Sequence, residues 1–472
     1  MKTIDCLLIS PPISYDDDGN IWKQINSNFP PLGLASMASV ARNAGYTVRI
    51  VDCTIAAPAV SLFETFCQKN LLPTYERIRY IGITSFTFNI KKALALACLC
   101  KQYYPQATIL LGGCHATALP YEVIAHPAVD MVVVGEGEYT LLDLLADKDP
   151  ATINGVVYKN TLGAVERTPA RERIPNLDLL PMPAYDLLPI EHYRPAKGSY
   201  KRLPAMSMMT SRGCPGECTF CFKTLGKRLV FKSAQKIIDE IEFLIDRYGI
   251  KQILFYDDTF TVYKKNVLAL CDRISEKKLD ISWTCFARVD YVDKPMLHHM
   301  AAAGCHQIMY GIENVNETVL HNIKKKINRE QMFNAVRWTK QAGIECRVAL
   351  MVGNPGDTKE IVEENLSFIK KVSPDYLIVN IATPLPGTEM FAWADEHRLI
   401  LSYDWDNYTL AKPLMRLENL SAEEIKILYK YLYYGFYLRP AYIFGRFVRI
   451  RSWYDIQRLW DGFCALFSFL FS

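Results

Sequence analysis

The sequence predicts two successive α/β units: a doubly wound, Rossmann-like (flavodoxin-like) sheet, then a partial (β/α)6 barrel of TIM type, followed by a C-terminal helical cap. Three observations carry this expectation. Apolar runs of strand length alternate with helical stretches twice, over 4–145 and again over 203–390. The runs are unbroken in their apolarity, which marks parallel strands covered on both faces. Between them, residues 146–200 carry Pro150, Pro169, Pro175, Pro181, Pro183, Pro189 and Pro195 and little helical pattern. A chain of 472 residues is also too long for one ordinary core. The expected division is a first domain over 1–145, a linker with short strands over 146–200, a barrel over 201–395 and a helical region over 396–472.

In the first unit, IDCLLISPP reads as a strand and LASMASVARNAGY as a helix stopped by Gly45. TVRIVDC, YIGITSF, ATILLGG and MVVVGEG follow as strands, so ligand sites are expected at their carboxyl ends. GVVYKN is a short strand within the linker. In the second unit SMMTSRG is a strand that runs into a cysteine-bearing loop. SAQKIIDEIEFLIDRYG is an amphipathic helix, with Ser233 as N-cap and Gly249 at its end. QILFYDD, SWTCFAR, QIMYGIE, ECRVALMVG and YLIVNIATPLPG complete six barrel strands, short of the eight of a closed barrel.

Half the residues are apolar and 22% are charged, a globular composition. Lys plus Arg number 54 and Asp plus Glu 50, and this excess of +4 gives no argument for a nucleic-acid partner. The opening MKTIDCLLISPP has only a short apolar run before Pro11-Pro12 and Asp16-Asp17-Asp18, unlike a signal peptide or a membrane helix. A cytoplasmic location is therefore expected, with the 14 cysteines as thiols or metal ligands.

The loop TSRGCPGECTFCFK places Cys214, Cys218 and Cys221 at spacing C-x3-C-x2-C, just after a strand. Thiolates are the ligands of iron–sulfur clusters, and one flexible loop can wrap three corners of a cube. Only three cysteines are local, so one iron keeps an open position. A zinc site and buried structural thiols are the alternatives, but zinc wants a fourth ligand at similar spacing, and structural thiols do not usually crowd a Gly/Pro loop. This loop resembles the signature of the radical S-adenosylmethionine (SAM) superfamily, with Phe220 as the aromatic residue before the last cysteine. The resemblance implies a 4Fe-4S cluster on these cysteines and SAM on the open iron, cleaved reductively to methionine and a 5′-deoxyadenosyl radical. It also implies roles further along the barrel. Asp257 and Asp258 in FYDDTF match a polar contact to the SAM amine, although Asp is equally common as a helix N-cap. Arg288 in TCFARVD resembles an arginine near the SAM carboxylate, and Glu313 in YGIEN an acid reaching the ribose or methionine part. MVGNPGDTKE and TPLPGTEMF resemble the family's fifth- and sixth-strand motifs.

In the first unit Ser85 ends one strand, and Gly112-Gly113 end the next, 27 residues later. By themselves these are ordinary in a flavodoxin-like sheet, though they leave room for a long ligand tail. The stretches PPLGLASMASVARNAGYTVRIVD and GGCHATALPYE…HPAVDMVVVGEGEYTLLDLL resemble the cobalamin-binding domain fused to one branch of radical SAM enzymes. That resemblance implies a channel for the cobalamin tail lined by Ser85, Thr87, Gly112 and Gly113. The Asp-x-His-x-x-Gly loop of methionine-synthase-type domains is absent, so no protein imidazole is expected below cobalt. His115 and Cys114 sit beside that channel, and His115 is expected to bond to backbone. Glu136 and Glu138 in VGEGE are expected to serve structure or cofactor contact.

The tail FYLRPAYIFGRFVRIRSW is aromatic and basic, and the final FCALFSFLFS is too short to span a bilayer. Helices packing over the barrel mouth and an interfacial segment touching a membrane or greasy substrate are both open readings. The expected activity is cobalamin-dependent methylation of an unactivated carbon of a small-molecule or lipid substrate, with an electron donor such as flavodoxin or ferredoxin as partner. The alternatives are an oxidoreductase resembling the anaerobic magnesium-protoporphyrin monomethyl ester cyclase, and a sensor that uses the same cofactors. No catalytic acid or base is identified.

Overall fold

The computed structural model describes residues 3–13, 27–55 and 77–448, with single positions at 450, 456, 460, 462 and 464. Asp16, Asp17, Asp18, Arg449, Arg451 and, Cys464 apart, the closing FCALFSFLFS lie outside the described residues.

The first unit holds β1 (Thr3–Ser10), β2 (Val48–Asp52), β3 (Arg77–Thr84), β4 (Thr108–Gly112) and β5 (Met131–Val133). They pair in parallel in the order β2-β1-β3-β4-β5, so the winding reverses between β1 and β3. Alternate residues of each strand enter two different layers. Leu7, Ile9, Ile81, Ile83, Ile109 and Leu111 pack on the helix Ile90–Tyr103 side. Cys6, Leu8 and Leu110 pack towards Leu32–Asn43 and Glu138–Leu145. Burial on both faces is why these strands read as continuous apolar runs. The expected linker 146–200 contributes two strands to the same sheet, β6 (Val156–Lys159) and β7 (Val165–Arg167), both antiparallel.

The second unit begins with β8 (Ala205–Met208), then a two-stranded ladder of β9 (Ser211–Arg212) and β10 (Val230–Phe231). β11 (Gln252–Phe255), β12 (Ser282–Ala287), β13 (Cys305–Glu313), β14 (Glu345–Val352) and β15 (Tyr376–Ile381) follow. The order β15-β14-β13-β12-β11-β8 is parallel throughout, the six strands of the expected partial barrel. The helix after the cysteine loop runs Ala234–Tyr248. The Ser233 hydroxyl accepts from the Lys236 amide at 3.2 Å, and Gly249 ends it at φ +63°.

The C-terminal helical cap opens with the helix Ala422–Tyr437, which covers the open edge of β15 and sets Ile425 against Gly353 at the carboxyl end of β14. The Tyr433 hydroxyl accepts from the Val379 amide (3.0 Å) and donates to its carbonyl (3.1 Å). Tyr437, one turn on, does the same for Leu377 at 3.0 and 2.8 Å. An i, i+4 pair of phenols thus satisfies backbone groups that an edge strand would leave open. The next helix, Pro440–Phe447, leaves Phe444 and Phe447 exposed. Among the described residues no helix is long and apolar enough to cross a membrane.

Candidate functional site

The loop between β9 and β10 carries the three cysteines. Its base is clamped by Asp257, at the end of β11. The Asp257 carboxylate accepts from the Thr210 amide (2.7 Å), the Thr210 hydroxyl (2.6 Å) and the Ser211 amide (2.6 Å). Burial pushes its carboxyl up to about 6, against the pull of those donors. Asp257 is thus committed to Thr210 and Ser211, and the neighbouring Asp258 lies near enough to Cys221 and Cys114 for its charge to raise both thiols.

Within the loop the Gly216 amide donates to Cys214 Sγ at 3.4 Å. A β-carbon placed on Gly216 lies 3.3 Å from Cys214 Sγ and 3.9 Å from Cys218 Sγ, so both sulfurs flank this glycine. Cys218 is buried and Cys221 is exposed. Its thiol is pushed up to about 12, first by desolvation and then by Asp258 and the other two sulfurs. Bound metal reverses this, because a coordinating thiol is deprotonated outright. Among the described residues, no group of three His, Cys, Asp or Glu side chains is arranged to hold a single ion.

Two cations stand beside the sulfurs. Arg288 lies 3.8 Å from Cys218 Sγ; Asp290 holds it at 2.9 and 3.0 Å, and it donates to the Lys325 carbonyl at 2.8 Å. Lys325 pairs with Glu313 at 3.1 Å, both buried. Glu313 has φ +67°, a strained conformation for a side-chain-bearing residue, which costs about 1–3 kcal/mol. Its carboxylate folds back over Gly311, where a β-carbon would sit 2.4 Å from Oε1. Phe220 packs near Lys325, whose Nζ lies 5.8 Å from the ring centroid. Asp357 closes the MVGNPGDTKE turn on itself, accepting from the Gly353 and Asn354 amides at 2.9 Å each.

On the first sheet, the Ser85 hydroxyl donates to the Gly112 carbonyl at 2.8 Å. Gly113, at φ +93°, lies so close to this strand end that a β-carbon would meet Ser85 O at 2.5 Å and Ser85 N at 2.7 Å. The expected backbone bond of His115 is corrected. Its Nδ1 lies 3.3 Å from the Thr87 hydroxyl, its ring packs edge-on to Trp405, and Nε2 is 3.9 Å from Glu122. Trp405 donates to Glu122 at 2.6 Å, so this histidine knits the later segment 404–408 to the first sheet.

A cavity of about 1320 Å3 lies along the carboxyl ends of β1, β3, β4 and β5. Gly112 and Gly113 line it; the expected Ser85 and Thr87 are not among its lining residues, Ser85 bonding the Gly112 carbonyl and Thr87 lying against His115. Leu96, Leu99, Leu110 and Leu111 are among its apolar lining, and the barrel contributes Ser207, Met209, Arg212 and Tyr256. This volume exceeds the usual range for drug-sized ligands, about 300–1,000 Å3. A second cavity of about 300 Å3 enters the barrel and shares Ser27, Phe29, Phe88, Tyr256 and Thr409 with the first.

Arg212, two residues before Cys214, ties the halves together. It bridges Glu136 (2.7 Å) and Glu138 (2.5 Å) of the first unit. Glu136 also accepts from the Ile174 amide, and Glu138 from the Ser36 hydroxyl, each at 2.8 Å. Thr224 of the cysteine loop donates to Cys114 Sγ at 3.4 Å. Sequence reasoning singled out the VGEGE acids but missed Arg212; the signal available was a basic residue inside the TSRGC motif.

The family model for the radical SAM superfamily matches residues 208–369, and that for the B12 binding domain matches 22–145. An uncharacterized methyltransferase of Pyrococcus horikoshii is 36% identical over 449 residues, spanning 93% of this chain and 94% of its own. The chain belongs to the cobalamin-binding radical SAM enzymes. The anaerobic magnesium-protoporphyrin IX monomethyl ester cyclase of Rubrivivax gelatinosus is 26% identical, over 89% of this chain and 76% of its own. In fold, the chain is similar to the cobalamin-dependent S-adenosylmethionine radical enzyme OxsB, with TM-score 0.74 at 16% identity, over 99% of this chain and 72% of that one.

The cofactors of this family are a 4Fe-4S cluster, SAM and cobalamin. The observed residues fit them. Three thiols at separate corners of one loop, beside Arg288 and Lys325, suit an anionic cluster more than one ion. A chamber larger than ordinary ligand pockets, mostly apolar in its lining and bordered by a glycine pair, suits a corrinoid with a long tail.

Proposed function

We propose that the chain methylates an unactivated carbon of a small-molecule or lipid substrate. The observation that supports this most is the shared chamber. The carboxyl ends of both parallel sheets border one cavity, lined by Gly112-Gly113 of the first and by Met209, Arg212, Leu225 and Tyr256 of the second, with Arg212 and Leu225 flanking the cysteines in the chain. The relative named as a methyltransferase, aligned over nearly the whole chain, supports it too.

In this reading Cys214, Cys218 and Cys221 hold the cluster. Asp258, Arg288 and Glu313 hold SAM, with Asp257 positioning the strand beneath them. Gly112 and Gly113 admit the cobalamin tail, supported by Ser85 and Thr87. When bound, these groups supply one-electron chemistry for hydrogen abstraction and a carrier for the methyl group. The chain's own residues bind, orient and exclude water; Arg212 keeps the cysteine loop in register with the cobalamin domain. Each methyl transferred consumes two SAM and two electrons, releasing one S-adenosylhomocysteine, one methionine and one 5′-deoxyadenosine. The electrons come from a donor such as flavodoxin or ferredoxin, in the reducing cytoplasm. Phe444 and Phe447, exposed on the helix Pro440–Phe447, are where the tail would touch a lipid surface; co-flotation with anionic vesicles tests that.

SAM labelled on its methyl group, given to reduced holoenzyme with cell extract, tests the reaction. Label in a product, with S-adenosylhomocysteine and 5′-deoxyadenosine in equal amounts, is expected. 5′-Deoxyadenosine without labelled product would favour the cyclase-like reading, for which the similarity to the cyclase of Rubrivivax gelatinosus speaks.

A further inference from the structure

A strap from late in the chain borders the large chamber. Residues 400–415 leave the barrel and return to it: Ile400 bridges Met415, and the Leu401 amide donates to the Leu414 carbonyl at 2.9 Å. Such a compact loop with closed ends is an Ω-loop, a form that often carries function. Trp405, Tyr408 and Leu414 enter the same buried cluster as Ile9, Ile83 and Leu111 of the first sheet. Trp405 donates to Glu122 at 2.6 Å, and Lys91 pairs with Asp404 and, at 3.0 Å, with Asp406. Further on, the Leu410 carbonyl accepts from the Ile381 amide at the end of β15, at 2.8 Å. Leu410 holds φ +61°, a strained conformation of the kind found at ligand clamps. The strap is thus pinned to both halves, and its Asp406, Asn407, Thr409 and Lys412 line the chamber. Two of these have hydrogen-bonding capacity to spare. Thr409 is 8% exposed, and its hydroxyl is buried with no partner among the described residues. Buried hydroxyls are rarely left so unless a ligand or water completes them. The Asn407 amide oxygen accepts from Lys412 Nζ at 3.0 Å, which leaves its NH2 as a donor with no partner among the described residues.

We propose that Asn407 and Thr409 are cobalamin contacts, and that the strap is a third wall of the corrinoid site, bonding the carboxamides on the edge of the corrin. The inference rests on the reading of the chamber as the cobalamin site. The strap lies outside both regions that match a family model, 22–145 and 208–369, so its role is not inherited from either domain. Carboxamides ring the periphery of cobalamin, and each offers an acceptor oxygen and two N–H donors. The Asn407 NH2 donates to one such oxygen. The Thr409 hydroxyl, donor and acceptor at once, bonds a second amide. Neither group is charged, which matches neutral carboxamides, and the acidic Asp406 beside them is held by Lys91. Because its pins already order the strap, little conformational entropy is lost when the cofactor binds.

The test uses the full chain, anaerobically reconstituted with iron and sulfide, with no substrate present. Equilibrium dialysis against methylcobalamin in the dark gives the dissociation constant, and bound iron is counted on the same samples. Loss of one hydrogen bond should weaken binding about fivefold. Thr409→Val should show that loss, and Thr409→Ser, which keeps the hydroxyl, should bind as wild type does. Asn407→Asp keeps the acceptor for Lys412 but removes the donor, and should weaken binding by at least about fivefold. Wild-type iron content shows that a variant has kept its fold; should Thr409→Val lose iron, Asn407→Asp decides alone. Wild-type affinity in Thr409→Val or in Asn407→Asp overturns the proposal, and so does a Thr409→Ser variant as weak as Thr409→Val. Label transferred by an enzyme whose cobalamin affinity ignores these residues sinks the strap alone. Affinity that depends on them, in an enzyme that transfers no label, sinks the methyl-transfer reading and leaves the strap.

Discussion

Replacing Arg212 by Met should separate the two halves energetically. The guanidinium is 14% exposed, and its partners Glu136 and Glu138 are 6% and 4% exposed at the side chain. Surface pairs are worth about 0–1 kcal/mol, but this one is buried on all three members. With Arg212 gone, among the described residues Glu136 keeps the Ile174 amide and Glu138 the Ser36 hydroxyl. Removing one partner of a buried pair costs about 3–5 kcal/mol, because the remaining charge is uncompensated. The triple variant Arg212→Met, Glu136→Gln, Glu138→Gln removes all three charges and should recover most of that loss. Urea unfolding of the apo-protein under anaerobic conditions measures both. Since Arg212 opens the cysteine loop, the single variant should also make 5′-deoxyadenosine out of proportion to any methylated product. A loss below about 1 kcal/mol in the single variant, or a triple variant no better than the single, would refute the claim that this ion cluster holds the halves in register.

Other outcomes follow from single contacts. Cys218→Ala should lose the visible charge-transfer absorbance of the reconstituted cluster and all SAM cleavage, and an unchanged spectrum contradicts the proposed ligand set. Gly113→Leu should abolish cobalamin retention on gel filtration, because its β-carbon would meet Ser85 O at 2.5 Å; cobalamin retained at wild-type stoichiometry places the tail elsewhere. The bound cobalamin should show no nitrogen splitting from a lower ligand by electron paramagnetic resonance, since the sequence has no histidine before His115 and that ring is packed between Thr87 and Trp405. Tyr433→Phe should cost about 1–3 kcal/mol by uncapping Val379 on the edge of β15, with iron content unchanged. A denaturation midpoint equal to wild type would show that the edge needs no such cover.

Much of this was legible along the chain. Strands buried on both faces must be apolar at every position, so β1, β3 and β4 announce a parallel sheet without reference to any partner. Ligation by thiols within one loop is local, so Cys214, Cys218 and Cys221 stand out by spacing. Helix ends are local too, and Ser233 and Gly249 cap as read. β7 escaped notice because Val165–Arg167 is exposed throughout and owes its state to the ladder with β6. The adjacent aspartates 257 and 258 are alike in composition. The direction of each side chain, set where β11 ends, commits Asp257 to Thr210 and Ser211 and leaves Asp258 near Cys114 and Cys221.

The sequence by itself determined the class of fold, the order of the parallel strands' neighbours in the chain and the cysteine loop, because these depend on burial pattern and on contacts within a few residues. Tertiary structure alone decided what faces what. Arg212 meets Glu136 across 76 residues, and Trp405 meets Glu122 across 283. The small cavity gathers Phe29, Tyr256, Arg347 and Thr409 from four separate segments. No periodicity encodes such meetings. They arise when two sheets, each with its carboxyl ends open, are held mouth to mouth, and the side chains that happen to project there acquire a common neighbour.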